Sequence, residues 1–122
     1  MPEKKLILIV DDEADIRVLL KDFFEQKKLQ VLLAEDGKTG IEIAKRQVPD
    51  LVIADMLLPG EHGIDVLHFV KERLFIPVIG ISGIYKENEI KKGIIGYEID
   101  GFFEKPLNLE MLWKKISQIL NE

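Results

Sequence analysis

The chain contains no cysteine. Disulfides, thiolate metal sites and thiol nucleophiles are therefore excluded. Histidine is nearly as scarce. His62 and His68 are the only two, too few for a histidine-based metal cluster. Positive charge is in deficit, with 17 Lys and Arg against 22 Asp and Glu and a net charge of -5. Nothing in that balance draws the chain to a phosphate backbone, so direct nucleic-acid binding is not expected. Long apolar runs are missing too. The first run, Leu6 to Val10, stops at Asp11, Asp12 and Glu13, far short of the ~20 residues needed to span a membrane. No signal-peptide cleavage region follows it. A soluble, cytoplasmic protein without membrane association is the expectation. Internal repeats, low-complexity tracts and Pro/Gly/Ser-rich linkers are absent as well.

What is present suits a single domain over residues 1–122, since domains most often hold ~100–150 residues. The chain is 47% hydrophobic and 32% charged, enough apolar surface to offset the entropy of ordering. Short apolar runs alternate with helical patterns. The runs are Leu6–Val10, Val31–Ala34, Leu51–Ala54, Pro77–Ile81 and Gly101–Phe103. Their continuous apolarity is what strands of a parallel sheet covered on both faces require. Between them, Ile16, Leu19, Leu20, Phe23 and Phe24 predict one apolar helix stripe, Ile41, Ala44 and Val48 a second after a cap at Asp36, and Ile64, Leu67, Val70 and Leu74 a third. A weaker helix pattern after Tyr85 rests on Ile90 and Ile94. The last follows Pro106, with Asn108 as cap and Leu109, Leu112, Ile116, Ile119 and Leu120 as its stripe. Five βα units predict an α/β fold: a doubly wound five-stranded parallel sheet with five helices, flavodoxin-like, in the order 2-1-3-4-5.

In such sheets the ligand site lies beyond the carboxyl ends of the strands. Those positions hold Asp11, Asp12 and Glu13, then Asp55, then Ser82 and Gly83, then Glu104, Lys105 and Pro106. If the first and third strands are neighbours, Asp11, Asp12 and Asp55 meet, and their mutual repulsion calls for a cation. Mg²⁺ suits oxygen ligands of this kind. Lys105 adds a point charge for a phosphoryl or carboxylate oxygen, and Ser82 a hydroxyl donor. Each feature alone has a plainer account. Paired acids after a strand cap a helix, Asp55 sits in a loop before Pro59-Gly60, a lone Ser is structural, and Lys-Pro is a solvated turn. Together they point to a Mg²⁺-assisted phosphoryl site with a carboxylate nucleophile.

With these residues the sequence resembles a receiver domain of a two-component response regulator, the fold of the chemotaxis regulators, over essentially its whole length. The motifs are Val10-Asp11-Asp12-Glu13, the run Asp50 to Gly60 around Asp55 followed by Gly63, Ile81-Ser82-Gly83, and Gly101-Phe102-Phe103-Glu104-Lys105-Pro106. The resemblance implies a signalling switch rather than an enzyme with turnover. Asp55 is implied as phosphoacceptor, attacking phosphorus to form an acyl phosphate. Asp12 and Asp55 are implied as direct Mg²⁺ ligands, Asp11 as an acid acting on the metal mostly through water, and the backbone carbonyl of Leu57 as a further ligand. Ser82 is implied as the switch hydroxyl, Lys105 as the lysine pairing with a phosphoryl oxygen, and Phe102 as the aromatic switch that turns inward as Ser82 moves. The readout is expected on the face of the fourth helix, fifth strand and fifth helix. The implied partners are a sensor histidine kinase or a histidine phosphotransfer protein, and a downstream protein target or output domain in a longer chain. A phosphorylation-dependent dimer stays open.

Three departures from the family pattern stand out. The segment Gly96 to Gly101 is longer than the usual turn, Phe102 has no hydroxyl, and Leu57 and Ile84 place apolar groups two residues after Asp55 and Ser82. The last pair is expected to hinder attacking water and prolong the acyl phosphate. Three other functions compete. A haloacid-dehalogenase-type phosphatase needs an acid two residues after the nucleophile, where this chain has Leu57. A flavodoxin needs a Ser/Thr/Gly-rich phosphate loop where this chain has acids. A degenerate, phosphate-independent docking receiver is the nearer alternative, and the intact Asp11, Asp12, Asp55, Ser82 and Lys105 set argues against it. His62 and His68 are read as solvated or partly packed. Trp113 is left open between packing and a partner surface.

Overall fold

Each of the five apolar runs forms a strand. The computed structural model describes residues 4–56, 63–83 and 99–121. The strands are β1 (Leu6–Val10), β2 (Gln30–Ala34), β3 (Leu51–Asp55), β4 (Val78–Ser82) and β5 (Gly101–Glu104). They form one parallel sheet in the order β2-β1-β3-β4-β5. β3 and β4 run one residue further than expected, so Asp55 and Ser82 are the last residues of their strands rather than the first after them.

The described helices are α1 (Ala14–Gln26), α2 (Gly37–Arg46), α3 (Gly63–Phe69) and α4 (Leu109–Leu120), the last being the final helix of the sequence pattern. The fourth expected helix falls on residues 84–98, outside the described residues. Strand side chains alternate between two cores. Ile7, Ile9, Ile53, Ile79 and Ile81 pack with Leu20 and Phe24 of α1 and Leu112, Ile116 and Leu120 of α4. Leu8, Val10, Val52, Ala54 and Val78 pack with Ala44 of α2 and Val66 and Leu67 of α3. Burying one such side chain stabilises by about 1.5–3 kcal/mol. Both faces of the central strands are therefore committed to apolar contact, which leaves their ends for polar chemistry.

The caps expected at Asp36 and Asn108 are present. Thr39 N–H donates to Asp36 Oδ1 at 2.7 Å, and Met111 N–H to Asn108 Oδ1 at 3.1 Å. Two expected stripe residues are corrected. Leu19 is 44% exposed and Val48 is 56% exposed, the latter beyond the end of α2. The third stripe is also not one α-helix. After Phe69 the chain widens into a π turn, Val70–Leu74, closed by Phe75 N–H on Val70 O at 2.9 Å. The turn keeps Val70 in the core, with Leu74 packed against it. Trp113 packs edge-on to Phe23, 6.5 Å between centroids, and Lys27 Nζ sits 5.4 Å from both ring centres. No helix among the described residues is long and apolar enough to cross a membrane.

Candidate functional site

The carboxyl ends of β1, β3, β4 and β5 converge on one cluster. Asp11 leaves β1 buried, its N–H still bonded to Ala34 O at 3.0 Å. Its Oδ1 accepts the Glu13 N–H at 2.8 Å. Its backbone carbonyl accepts Arg17 Nη1 at 2.7 Å, which ties the loop to the first turn of α1. Asp55 ends β3, also buried. Gly63 makes the return to α3 possible there, because a Cβ at this position would lie 1.9 Å from the Asp55 carbonyl oxygen. Ser82 ends β4, buried, and its carbonyl accepts the Lys105 N–H at 2.8 Å. That bond brings Lys105 over the strand ends.

Lys105 Nζ then reaches three carboxylates. It lies 2.5 Å from Glu13 Oε1, 2.9 Å from Asp55 Oδ2 and 3.0 Å from Asp11 Oδ2. Burial alone would lower the lysine pKa, but its hydrogen bonds to Glu13 and Asp55 and the adjacent Asp11 carboxylate reverse this and hold it above the ordinary lysine value. Asp11 shifts upward. Burial raises its carboxyl more than the Glu13 N–H and Lys105 lower it, and the nearby Asp55 charge adds to the rise. The contact of Lys105 with Asp11 Oδ2 is an ion pair without hydrogen-bond geometry. That buried oxygen has no hydrogen bond among the described residues. Asp11, Asp12, Glu13 and Asp55 each offer an oxygen within 4.8 Å of the others. A buried, unbonded carboxylate oxygen inside an oxygen-only donor set fits a hard divalent cation.

The structure thus brings together Asp11, Asp12, Asp55 and Lys105, with Ser82 joined to Lys105 through the backbone. Leu57, as well as Ile84 and His62, lies outside the described residues. Phe102 lies opposite Gly80 in the β4–β5 register and packs, half-buried, against the α2–α3 core. The plain cap reading of the acids does not hold at α1. Its flanking residue, Glu13, makes no side-chain cap bond.

Residues 7–117 match the response regulator receiver domain model. The chain belongs to the response regulator receiver domain family. This receiver is 31% identical over 114 residues to a cyclic di-GMP phosphodiesterase of Thermotoga maritima, covering 93% of this chain and 30% of that protein. It is 31% identical over 119 residues to the alkaline phosphatase synthesis transcriptional regulatory protein PhoP of Bacillus subtilis, covering 95% of this chain and 48% of that protein. Among solved structures, a two-component response regulator from Clostridium difficile superposes with a TM-score of 0.89 at 26% identity, covering 98% of each chain. The receiver thus spans less than half the length of these two curated relatives.

Three residues carry no function in the sequence reading, two at the receiver site and one at the amino end of β4. Glu13 follows the acidic pair with no motif of its own, and it contacts Lys105. Arg17 left one signal, a cation in the first turn of α1, where the helix dipole disfavours it. Asp100 sits in the lengthened segment before β5. Its Oδ2 accepts the Val78 N–H at 2.8 Å and pairs with Lys71 of the π turn, so this segment is pinned to the start of β4.

Proposed function

We propose that this receiver is a phosphorylation-activated switch in which Asp55 takes a phosphoryl group from a sensor histidine kinase or a histidine phosphotransfer protein. The observation that carries this reading is the Lys105 ammonium 2.9 Å from Asp55 Oδ2 inside a cation-suited acid cluster. A carboxylate oxygen of Asp55 forms the bond to phosphorus. The donor's bond to phosphorus breaks, and its electron pair leaves with the donor atom. No proton leaves Asp55, because it reacts as the carboxylate. Asp11, Asp12 and Asp55, with the backbone carbonyl of Leu57, would hold Mg²⁺. The ion would neutralise oxygen charge during in-line transfer. Lys105 orients and neutralises a phosphoryl oxygen, and Ser82 donates its hydroxyl to the same group.

The added charge is a local event that needs a bistable element to be read out. Ser82 and Phe102 serve that purpose: they lie on the adjacent strands β4 and β5, with Phe102 two residues back from Glu104, the register partner of Ser82. The phosphorylated form then alters a protein-binding face, recognised by a downstream protein or by an output domain in a longer chain. The transcriptional regulatory protein PhoP among the relatives supports a partner of this kind. The domain acts in the cytoplasm, as a phosphoprotein with only slow self-dephosphorylation.

The test is incubation with Mg²⁺ and acetyl phosphate followed by intact mass, with Asp55→Asn alongside. One added phosphoryl group is expected, absent without Mg²⁺ and absent in Asp55→Asn. If no adduct forms and no Mg²⁺-dependent beryllofluoride complex forms either, a phosphate-independent docking module replaces this reading.

A further inference from the structure

The shortest contact of Lys105 is not to the acceptor. It is to Glu13 Oε1, at 2.5 Å, against 2.9 Å to Asp55 and 3.0 Å to Asp11. Glu13 also differs in exposure. Its side chain is 57% exposed, whereas those of Asp55 and Asp11 are 6% and 0% exposed. Its backbone is anchored at both ends, through its N–H on Asp11 Oδ1 at 2.8 Å and its carbonyl under the Arg17 N–H at 3.1 Å. Flanking α1, its carboxylate could have capped the helix. It makes no such bond and turns to Lys105.

The geometry points to Glu13 as a latch on Lys105, a competing anion that holds the ammonium back from a phosphoryl group on Asp55. This rests on the phosphoacceptor reading given above. An ammonium has three N–H donors and no acceptor. Two are hydrogen-bonded here, to Glu13 and Asp55, and Asp11 Oδ2 lies 3.0 Å away as an ion pair. Once Asp55 carries the phosphoryl group its carboxylate charge is gone, and that contact passes to a phosphoryl oxygen. Glu13 and Asp11 still draw on the ammonium. Asp11 is buried, and stripping a partner from a buried charge is costly. Glu13 can turn to water instead, so its contact is the one that yields as Lys105 closes on the phosphoryl group. It acts through Lys105, as a positioning residue that biases the receiver against its phosphorylated form.

The test compares wild type with Glu13→Gln and, as a control for charge alone, Asp15→Asn in the first turn of α1. Beryllofluoride is titrated at saturating Mg²⁺ and followed by ¹⁹F NMR. Glu13→Gln is expected to bind it about fivefold tighter, the scale of one partly exposed ion pair. Asp15→Asn is expected to stay within a factor of about two of wild type, as surface charges do. A second readout needs no metal. Labelling of Lys105 by acetic anhydride, read by peptide mass spectrometry, should quicken in Glu13→Gln. Unchanged or weaker beryllofluoride binding, an equal gain in Asp15→Asn, or unchanged labelling overturns the latch. So does a large loss of Mg²⁺ affinity in Glu13→Gln, which would make Glu13 a metal ligand. A wild type that binds no beryllofluoride with Mg²⁺ removes the phosphoacceptor reading and the latch with it. Wild-type binding without a gain in Glu13→Gln removes the latch alone.

Discussion

Asp11 is a carboxylate kept out of water with one oxygen hydrogen-bonded and the other held only by an ion pair with Lys105. Burial is the main cause of its raised pKa. A group whose folded pKa lies above its unfolded value favours folding while protonated. That contribution is complete below the unfolded value of 3.8 and is lost as pH rises through the folded value. Asn cannot ionise. In metal-free protein the stability advantage of Asp11→Asn over wild type should therefore grow as pH rises through the folded pKa, then level off. Urea unfolding of both proteins across this range measures it. A difference that does not change with pH would mean that Lys105 fully compensates the buried charge.

At the scale of elements, α1 ends in a motif with a misfit residue. Leu29 N–H donates to Phe24 O at 3.1 Å and Lys28 N–H to Glu25 O at 3.0 Å, with Leu29 and Phe24 buried together. This is the Schellman pattern, whose left-handed position favours glycine. Here it holds Lys28 at φ 66°. Lys28→Gly should stabilise the domain by about 0.5–1 kcal/mol, read as a higher urea midpoint at unchanged slope. The elements also separate what sequence periodicity can and cannot carry. The strands were legible because both their faces are buried, which makes continuous apolar runs. The stripe stops short of Val48, and the sequence carries the stop signal. Pro49 follows, and the residue before a proline avoids the helical region. Leu19 meets the periodic rule, but α1 buries fully only Leu20 and Phe24. The π turn has no such mark, since one extra residue in a turn leaves the spacing of Ile64, Leu67 and Val70 untouched.

At the scale of the whole molecule, Asp11, Asp55, Ser82 and Lys105 were legible because the strand order alone makes their positions converge. Glu13 was not, because its role depends on where a flexible lysine tip comes to rest. If the acid cluster binds Mg²⁺ only when folded, the ion should stabilise the entire domain. At a free concentration 100 times its dissociation constant the gain is about 2.7 kcal/mol. Urea unfolding with and without Mg²⁺, followed through Trp113, should show it in wild type and lose most of it in Asp55→Asn. An equal gain in both proteins would place the ion elsewhere.

The Lys105–Glu13 hydrogen bond joins residues 92 positions apart. One partner follows the first strand and the other follows the last, and between them β1, β3, β4 and β5 must lie side by side. No fragment that lacks either end of the span from 13 to 105 can form this contact. The contact therefore reports that the first and last strands have both taken their places in one sheet.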